Sequence, residues 1–154
     1  MSKFLQWYQG HLARTPIATQ LITTGILFGT GDVLAQQGVE QRGFNHDLVR
    51  TSRMAFFGAA MAGPVFVGWY KVLERYVNLS TTNKTLLARV ALDQGAFAPV
   101  NIAFFFTGQG LLEGKSFGQI GDKLHEHWGT TLVANWKLWP AVQLLNFKFV
   151  PLEQ

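Results

Sequence analysis

The chain contains no cysteine, which removes both a disulfide framework and any thiolate metal site. It is also poor in charge. Charged residues make up 14% of the 154, against about 25% in an ordinary soluble domain. The net charge of +4 is spread along the chain without a basic block, so the footprint of a nucleic-acid-binding protein is missing. No acidic residue precedes Asp32. The leader MSKFLQWYQGHLAR is therefore basic, with Phe4, Leu5, Tyr8 and Leu12 on one helical face. Such a segment suits either mitochondrial import or a short interfacial helix. A cleaved secretory signal is not expected, because the first apolar run begins near Pro16 and is long enough to be a span itself.

What the chain has instead is apolar length. Apolar residues make up 48%, with 13 Phe, and mean hydropathy is +0.13. Thr15 to Gly31 and Met54 to Tyr70 each hold 17 residues without a charge, and Gln94 to Leu112 holds 19. A membrane helix needs about 20 mostly apolar residues. A fourth segment, Trp128 to Val150, reaches that length if Lys137 and Lys148 are tolerated. The expected fold is an all-α integral membrane protein: one membrane domain over 1–154, a bundle of four transmembrane helices at 16–36, 51–71, 91–112 and 128–150, with short loops. A soluble helical domain would need amphipathic surface helices, and the first three runs show little polar face. Four spans put seven basic residues on one side and five on the other, too small a bias to fix orientation.

Pro64, Pro99 and Pro140 fall inside runs and are expected to kink them; membrane helices tolerate this where neighbours satisfy the freed carbonyl. Gly25 and Gly29 form a GxxxG pair, and Ala55, Ala59 and Gly63 repeat the small-residue spacing in the second run. Tight helix packing is the reading that spacing favours.

Polar residues within or beside the runs are the candidate functional positions, since charge at membrane depth costs about 2.5–3.5 kcal/mol and usually pairs or lines water. Asp32 closes the first run, with Gln36 one turn later. Asp93 and Gln94 open the third, with Arg89 four residues before Asp93 and Asn101 eight after it. Asp47, Arg50 and Arg53 recur at spacing three ahead of the second run, as capping or anchoring residues or as one charged face. The string GTGD matches the GxGD motif of presenilin-like intramembrane proteases, in which two carboxylates share a proton. The partner aspartate on the preceding span and the Pro-Ala-Leu motif are both missing. The histidines of HEH at His125 and His127 lie on different helical faces, unlike an HExxH pair. No phosphate-binding loop or third glycine of a dinucleotide fingerprint appears. No enzyme, cofactor or metal is expected.

The stretch NWKLWPAVQLLNFKFVP places Asn135, Trp139, Gln143 and Asn146 at spacings of four, four and three, one polar stripe on an apolar helix. Such a stripe faces other helices or water. Lys137 lies off it and needs a partner, a snorkelling route or a local opening near Pro140. Trp136 and Trp139 serve either as interface anchors or in packing or pore lining.

Taken in order, GILFGTGDVLAQ, DLVRTSRMAFFGAAMAGPVFVGWYKVL, LDQGAFAPV, LLEGKSF and NWKLWPAVQLLNFKFVP make the chain resemble a family of small integral membrane proteins. That family is named after Mpv-seventeen and the twenty-two-kilodalton peroxisomal membrane protein, and the likeness is strongest to its fungal mitochondrial branch. The resemblance implies a multi-pass protein of the mitochondrial inner membrane, or of the peroxisomal membrane in other branches. It implies a weakly selective, water-filled channel for small solutes, linked to metabolic stress, membrane-potential control and mitochondrial DNA maintenance. The expected partners are the lipid bilayer, small solutes and further copies of the chain, with no nucleic acid bound directly. The alternative is a non-conducting membrane scaffold. Family members continue past the Val-Pro with a segment carrying Trp-Asn and a Tyr-Leu-Ser ending, so the chain is expected to lack that C-terminal segment.

The candidate pore-lining or buried polar residues are Asp32, Gln36, Asp93, Gln94, Asn101, Asn135, Lys137, Gln143 and Asn146.

Overall fold

The structure, a computed structural model, describes residues 3–149; the side chains of residues 4, 5 and 140–149 lie outside the description. Among the described residues five helices follow one another: α1 (Lys3–Arg14), α2 (Pro16–Val39), α3 (Leu48–Tyr76), α4 (Thr82–Leu112) and α5 (Phe117–Phe149). Among the described residues α2, α3 and α4 are long and apolar enough to cross a membrane. The chain divides into two compact units, residues 1–78 and 79–154.

The first unit is a helical hairpin with a short leader. Proline excludes the residue before it from the α region, and Thr15 accordingly sits at φ −136°, ψ 66°, separating α1 from α2. Pro16 then opens α2, where its missing N–H costs nothing. Threonines inside the apolar helix donate backwards to the main chain: Thr19 to the Thr15 carbonyl and Thr24 to the Gln20 carbonyl, both at 2.8 Å. Their hydroxyls are thus satisfied without water.

α2 and α3 run antiparallel through small residues. A methyl group added at Gly25 would meet the Ala59 Cβ at 2.9 Å, and one at Gly29 the Ala55 Cβ at 3.3 Å. At Gly58 it would meet both the Phe28 Cβ and the Thr24 carbonyl at 2.8 Å. Gly63 lies against Leu21 in the same ladder. Phe28 fills the space beside the glycines, with its ring 5.8 Å from that of the fully buried Phe57. A cleft of about 380 Å³ opens farther along the hairpin, lined by Gln20, Thr24, Phe66, Tyr70, Lys71 and Glu74 among others.

In the second unit α4 and α5 form another antiparallel hairpin. Ala98, Ile102, Phe106 and Leu132 make its buried core, flanked by Phe105 and Leu124. Gly114, at φ +72°, ends the turn after α4, and Ser116 with Gln119 forms a reciprocal capping box that starts α5. Ile120 lies over Gly110, where a Cβ would come within 2.6 Å of it. Lys123 stands 5.8 Å over the Phe106 ring.

Each interior proline of α3 and α4 follows a π turn. In α3 this is Phe57–Ala62, in α4 Asp93–Phe97, and the prolines are Pro64 and Pro99. The wider turn gives a pyrrolidine ring room in a helix that would otherwise clash with it. α2 ends in a third such turn, Ala35–Val39, with no proline after it. Pro140 differs: the backbone of α5 is helical from Phe117 to Phe149 without a π turn. α3 and α4 begin before the charge-free runs. α4 reaches back to Thr82, nine residues ahead of the expected span at 91, and takes in Lys84 and Arg89.

Candidate functional site

The densest polar cluster closes the α2–α3 hairpin. Asp32 and Gln36, one turn apart on α2, are 4% and 0% exposed. Gln36 donates from Nε2 to Asp32 Oδ2 at 2.7 Å, and its Oε1 accepts the Asp47 N–H at 2.7 Å. Across the hairpin Thr51 donates to the same Asp32 oxygen at 2.7 Å. The other carboxylate oxygen faces Arg50 Nε at 2.7 Å. The Arg50 fork then reaches outward, with Nη1 2.7 Å from Glu40 Oε1. Asp47 caps α3 by accepting the Arg50 N–H at 2.8 Å. His46 bridges the rim, with Nε2 2.9 Å from the Thr51 hydroxyl and Nδ1 3.0 Å from Gln37 Nε2.

This arrangement follows from local chemistry. The chain must reverse between two apolar helices, and it does so through Gln41 at φ +50° and Gly43 at φ +54°. The reversal brings the start of α3 beside the last turns of α2, where a buried carboxylate needs donors. Two donors and a guanidinium supply them, a geometry in which a buried charge is tolerated. Chemically the cluster is a lock: every group that reaches Asp32 also fixes the register of the two helices.

Glu40 lies between the spans. Its carboxyl is held below the ordinary glutamate value, first by the hydrogen bond from Arg50, then by the bond from Arg42 and the charge of both, against an opposing desolvation. A lowered value in the folded protein means stabilisation that is complete above the ordinary glutamate range and lost as pH falls through the folded value. Thermal unfolding of detergent-solubilised protein is therefore expected to show a midpoint that falls on the acid side of that range. Glu40→Gln should flatten this part of the profile; an unchanged slope would refute the assignment to Glu40.

The second polar group lies in the other unit. Asp93 and Gln94 are half-buried in the π turn of α4, and Gln94 Nε2 donates to Asp93 Oδ2 at 3.0 Å. From α5, Trp136 donates its indole N–H to the Gln94 main-chain carbonyl at 2.9 Å, and Trp128 to the Pro99 carbonyl at 2.9 Å. Asn135 is half-buried on α5. The Gln94 Oε1 and Asn135 Oδ1 atoms are both buried without a donor among the described residues. Asn101 is half-buried farther along α4, while Lys137 is exposed. Gln143, Asn146 and the Pro140 ring fall among side chains outside the description.

The model of the Mpv17 / PMP22 family matches residues 110–154. Protein SYM1 of Gibberella zeae is 48% identical over 155 residues, covering 99% of this chain and 87% of its own. The chain belongs to the Mpv17 / PMP22 family. Protein sym-1 of Neurospora crassa is also 48% identical, over 97% of this chain and 86% of its own. The human relative is named mitochondrial inner membrane protein Mpv17; it is 44% identical over 94% of this chain and 82% of its own. No solved structure matches. With several apolar helices of membrane length, the chain is a multi-pass protein of the mitochondrial inner membrane.

Against that background the two polar groups of this family member differ in kind. Asp32 and Gln36 are joined to Arg50 and Thr51 in a closed network. Thr51, His46 and Glu40 are participants that the apolar runs did not single out; they lie 19, 14 and 8 residues from Asp32, at the end of α2 or beyond it, and the chain reversal brings them together. Gln109, 4% exposed in α4, was passed over as well, although a glutamine inside an uncharged run of membrane length was the signal for it. In the α4–α5 hairpin, Gln94 and Asn135 each carry a buried acceptor that no donor fills among the described residues.

Proposed function

We propose that the protein is a weakly selective channel for small solutes, with the polar face of α4 and α5 contributing to its conducting surface. One observation carries this reading. Gln94 Oε1 and Asn135 Oδ1 are buried acceptors without protein donors among the described residues, on the two helices that Trp136 joins. Buried acceptors of this kind ordinarily meet ordered water. In an apolar helix pair they fit a wet surface better than a dry contact. In this reading α5 supplies the fourth span, at 128–150, in a four-helix bundle, and copies of the chain combine in one conducting unit. Metabolite supply under stress and mitochondrial DNA maintenance would follow from the flux. No catalytic role is assigned.

The test is reconstitution of purified protein into planar bilayers and solute-loaded vesicles. Discrete conductance is expected, with a solute-size cutoff, and Asp93→Asn should reduce preference for cations because it removes a charge beside the path. Silent bilayers from folded protein would sink the reading.

A scaffold function has one observation in its favour: Thr51 and Arg50 of α3 both reach Asp32 of α2 at 2.7 Å and so tie the two helices together. It predicts that Asp93→Asn alters thermal stability and leaves every flux at the protein-free level.

A further inference from the structure

The π turn of α4 has a defined hydrogen-bond register. The Ala98 N–H reaches back five residues to the Asp93 carbonyl. In that register the next carbonyl, that of Gln94, would take the N–H of residue 99. Residue 99 is proline, which has no N–H to give. The alternative α-helical donor, the N–H of residue 98, is already engaged. The Gln94 carbonyl is thus orphaned by the sequence of its own helix, and an orphaned carbonyl in apolar surroundings is destabilising.

Its donor comes from elsewhere. Trp136 on α5 directs its indole N–H to that carbonyl at 2.9 Å. Trp128, earlier on α5, donates to the carbonyl of Pro99 itself at 2.9 Å. Because the helices are antiparallel, the two indoles grip the two ends of the segment from Gln94 to Pro99. They are not equivalent. The Pro99 carbonyl still has the Ala103 N–H of an ordinary α-helical turn ahead of it, whereas the Gln94 carbonyl has no such backbone donor.

We infer that Trp136 is the latch of a hinge in α4, its indole N–H standing in for the amide that Pro99 lacks and holding the π turn in the bonded state. Interior π turns and prolines are where helices bend. Release of the indole frees the turn to repack, and the turn carries Asp93 and Gln94. The latch stands independently of conduction.

Hydrogen–deuterium exchange of the full chain in lipid nanodiscs tests it, with four variants. Trp136→Phe keeps an aromatic ring and removes the N–H. Pro99→Ala restores a backbone donor at residue 99. The third combines the two, and Trp128→Phe is the control. Amides of residues 95–103 are expected to exchange at least tenfold faster in Trp136→Phe. Adding Trp136→Phe to Pro99→Ala should change them less than twofold, and Trp128→Phe should do the same. Loss of packing alone predicts equal acceleration in both backgrounds; that result, or no acceleration in Trp136→Phe, overturns the latch. If Trp136→Phe does not fold, recovery of folded protein by Pro99→Ala supports the latch and failure to recover overturns it.

Discussion

Arg50→Leu is expected to lower the stability of the protein by about 3–5 kcal/mol, the range for removing one partner of a buried ion pair. At about 2–4 °C per kcal/mol for a chain of this size, the thermal midpoint in detergent should fall by roughly 10 °C. The reason is asymmetry. The Asp32 side chain is wholly buried, while that of Arg50 is 28% exposed. Without Arg50 the carboxylate keeps only neutral donors, Thr51 and Gln36. Without Asp32 the guanidinium still has Glu40 at 2.7 Å and a route to solvent. Asp32→Asn should therefore cost clearly less than Arg50→Leu, although both break the same contact. Removing both charges, in Asp32→Leu with Arg50→Leu, should recover part of the loss, because no unpaired charge stays buried. Equal costs for the two single variants would show that Asp32 reaches water and that the lock is a surface feature.

The parts of the fold written in local pattern were readable before any coordinates. Charge-free runs located the three apolar helices, and i,i+4 spacing paired Asp32 with Gln36. What the runs missed at the helix ends has a simple cause. A charge-free stretch marks the slab a helix crosses, whereas the helix itself continues while its hydrogen bonds do; hence α4 starts at Thr82 and absorbs Lys84 and Arg89. The partners of Asp32 were hidden because they come from across a reversal, and a single sequence does not contain the register of a hairpin. The tryptophans show a third kind of gap. From the sequence, Trp136 reads as an interface anchor or as a packing or pore-lining residue; in the structure its N–H answers a carbonyl on another helix. The signal was present, at Pro99 rather than at the tryptophan. An interior proline in an apolar helix announces an unmet carbonyl, so it is reasonable to look for a donor on the neighbouring helix.

The glycines of the α2–α3 contact should rank by what a methyl group would strike, and the largest loss is expected at Gly58. Its added Cβ would lie 2.8 Å from the Phe28 Cβ and 2.8 Å from the Thr24 carbonyl oxygen. Both obstacles are close to the backbone, so relief requires the helices themselves to move apart. Overpacking of this sort costs about 1–3 kcal/mol and sometimes more; Gly58→Ala belongs at the upper end, and Gly58→Leu should abolish recovery of folded protein. Gly25→Ala meets the Ala59 Cβ at 2.9 Å and the Ala55 carbonyl at 3.0 Å and should follow closely. Gly29→Ala, at 3.3 Å from the Ala55 Cβ, requires a shift of a few tenths of an ångström and should be mild. Gly31 faces open space, and there alanine removes the helix penalty of glycine, worth up to about 1 kcal/mol. Gly31→Ala should therefore leave the midpoint unchanged or raise it. The measurement is the thermal midpoint of each variant under one detergent condition. Were Gly58→Ala to melt with Gly31→Ala, the close approach of α2 and α3 would be wrong, and with it the register that brings Thr51 and Arg50 to Asp32.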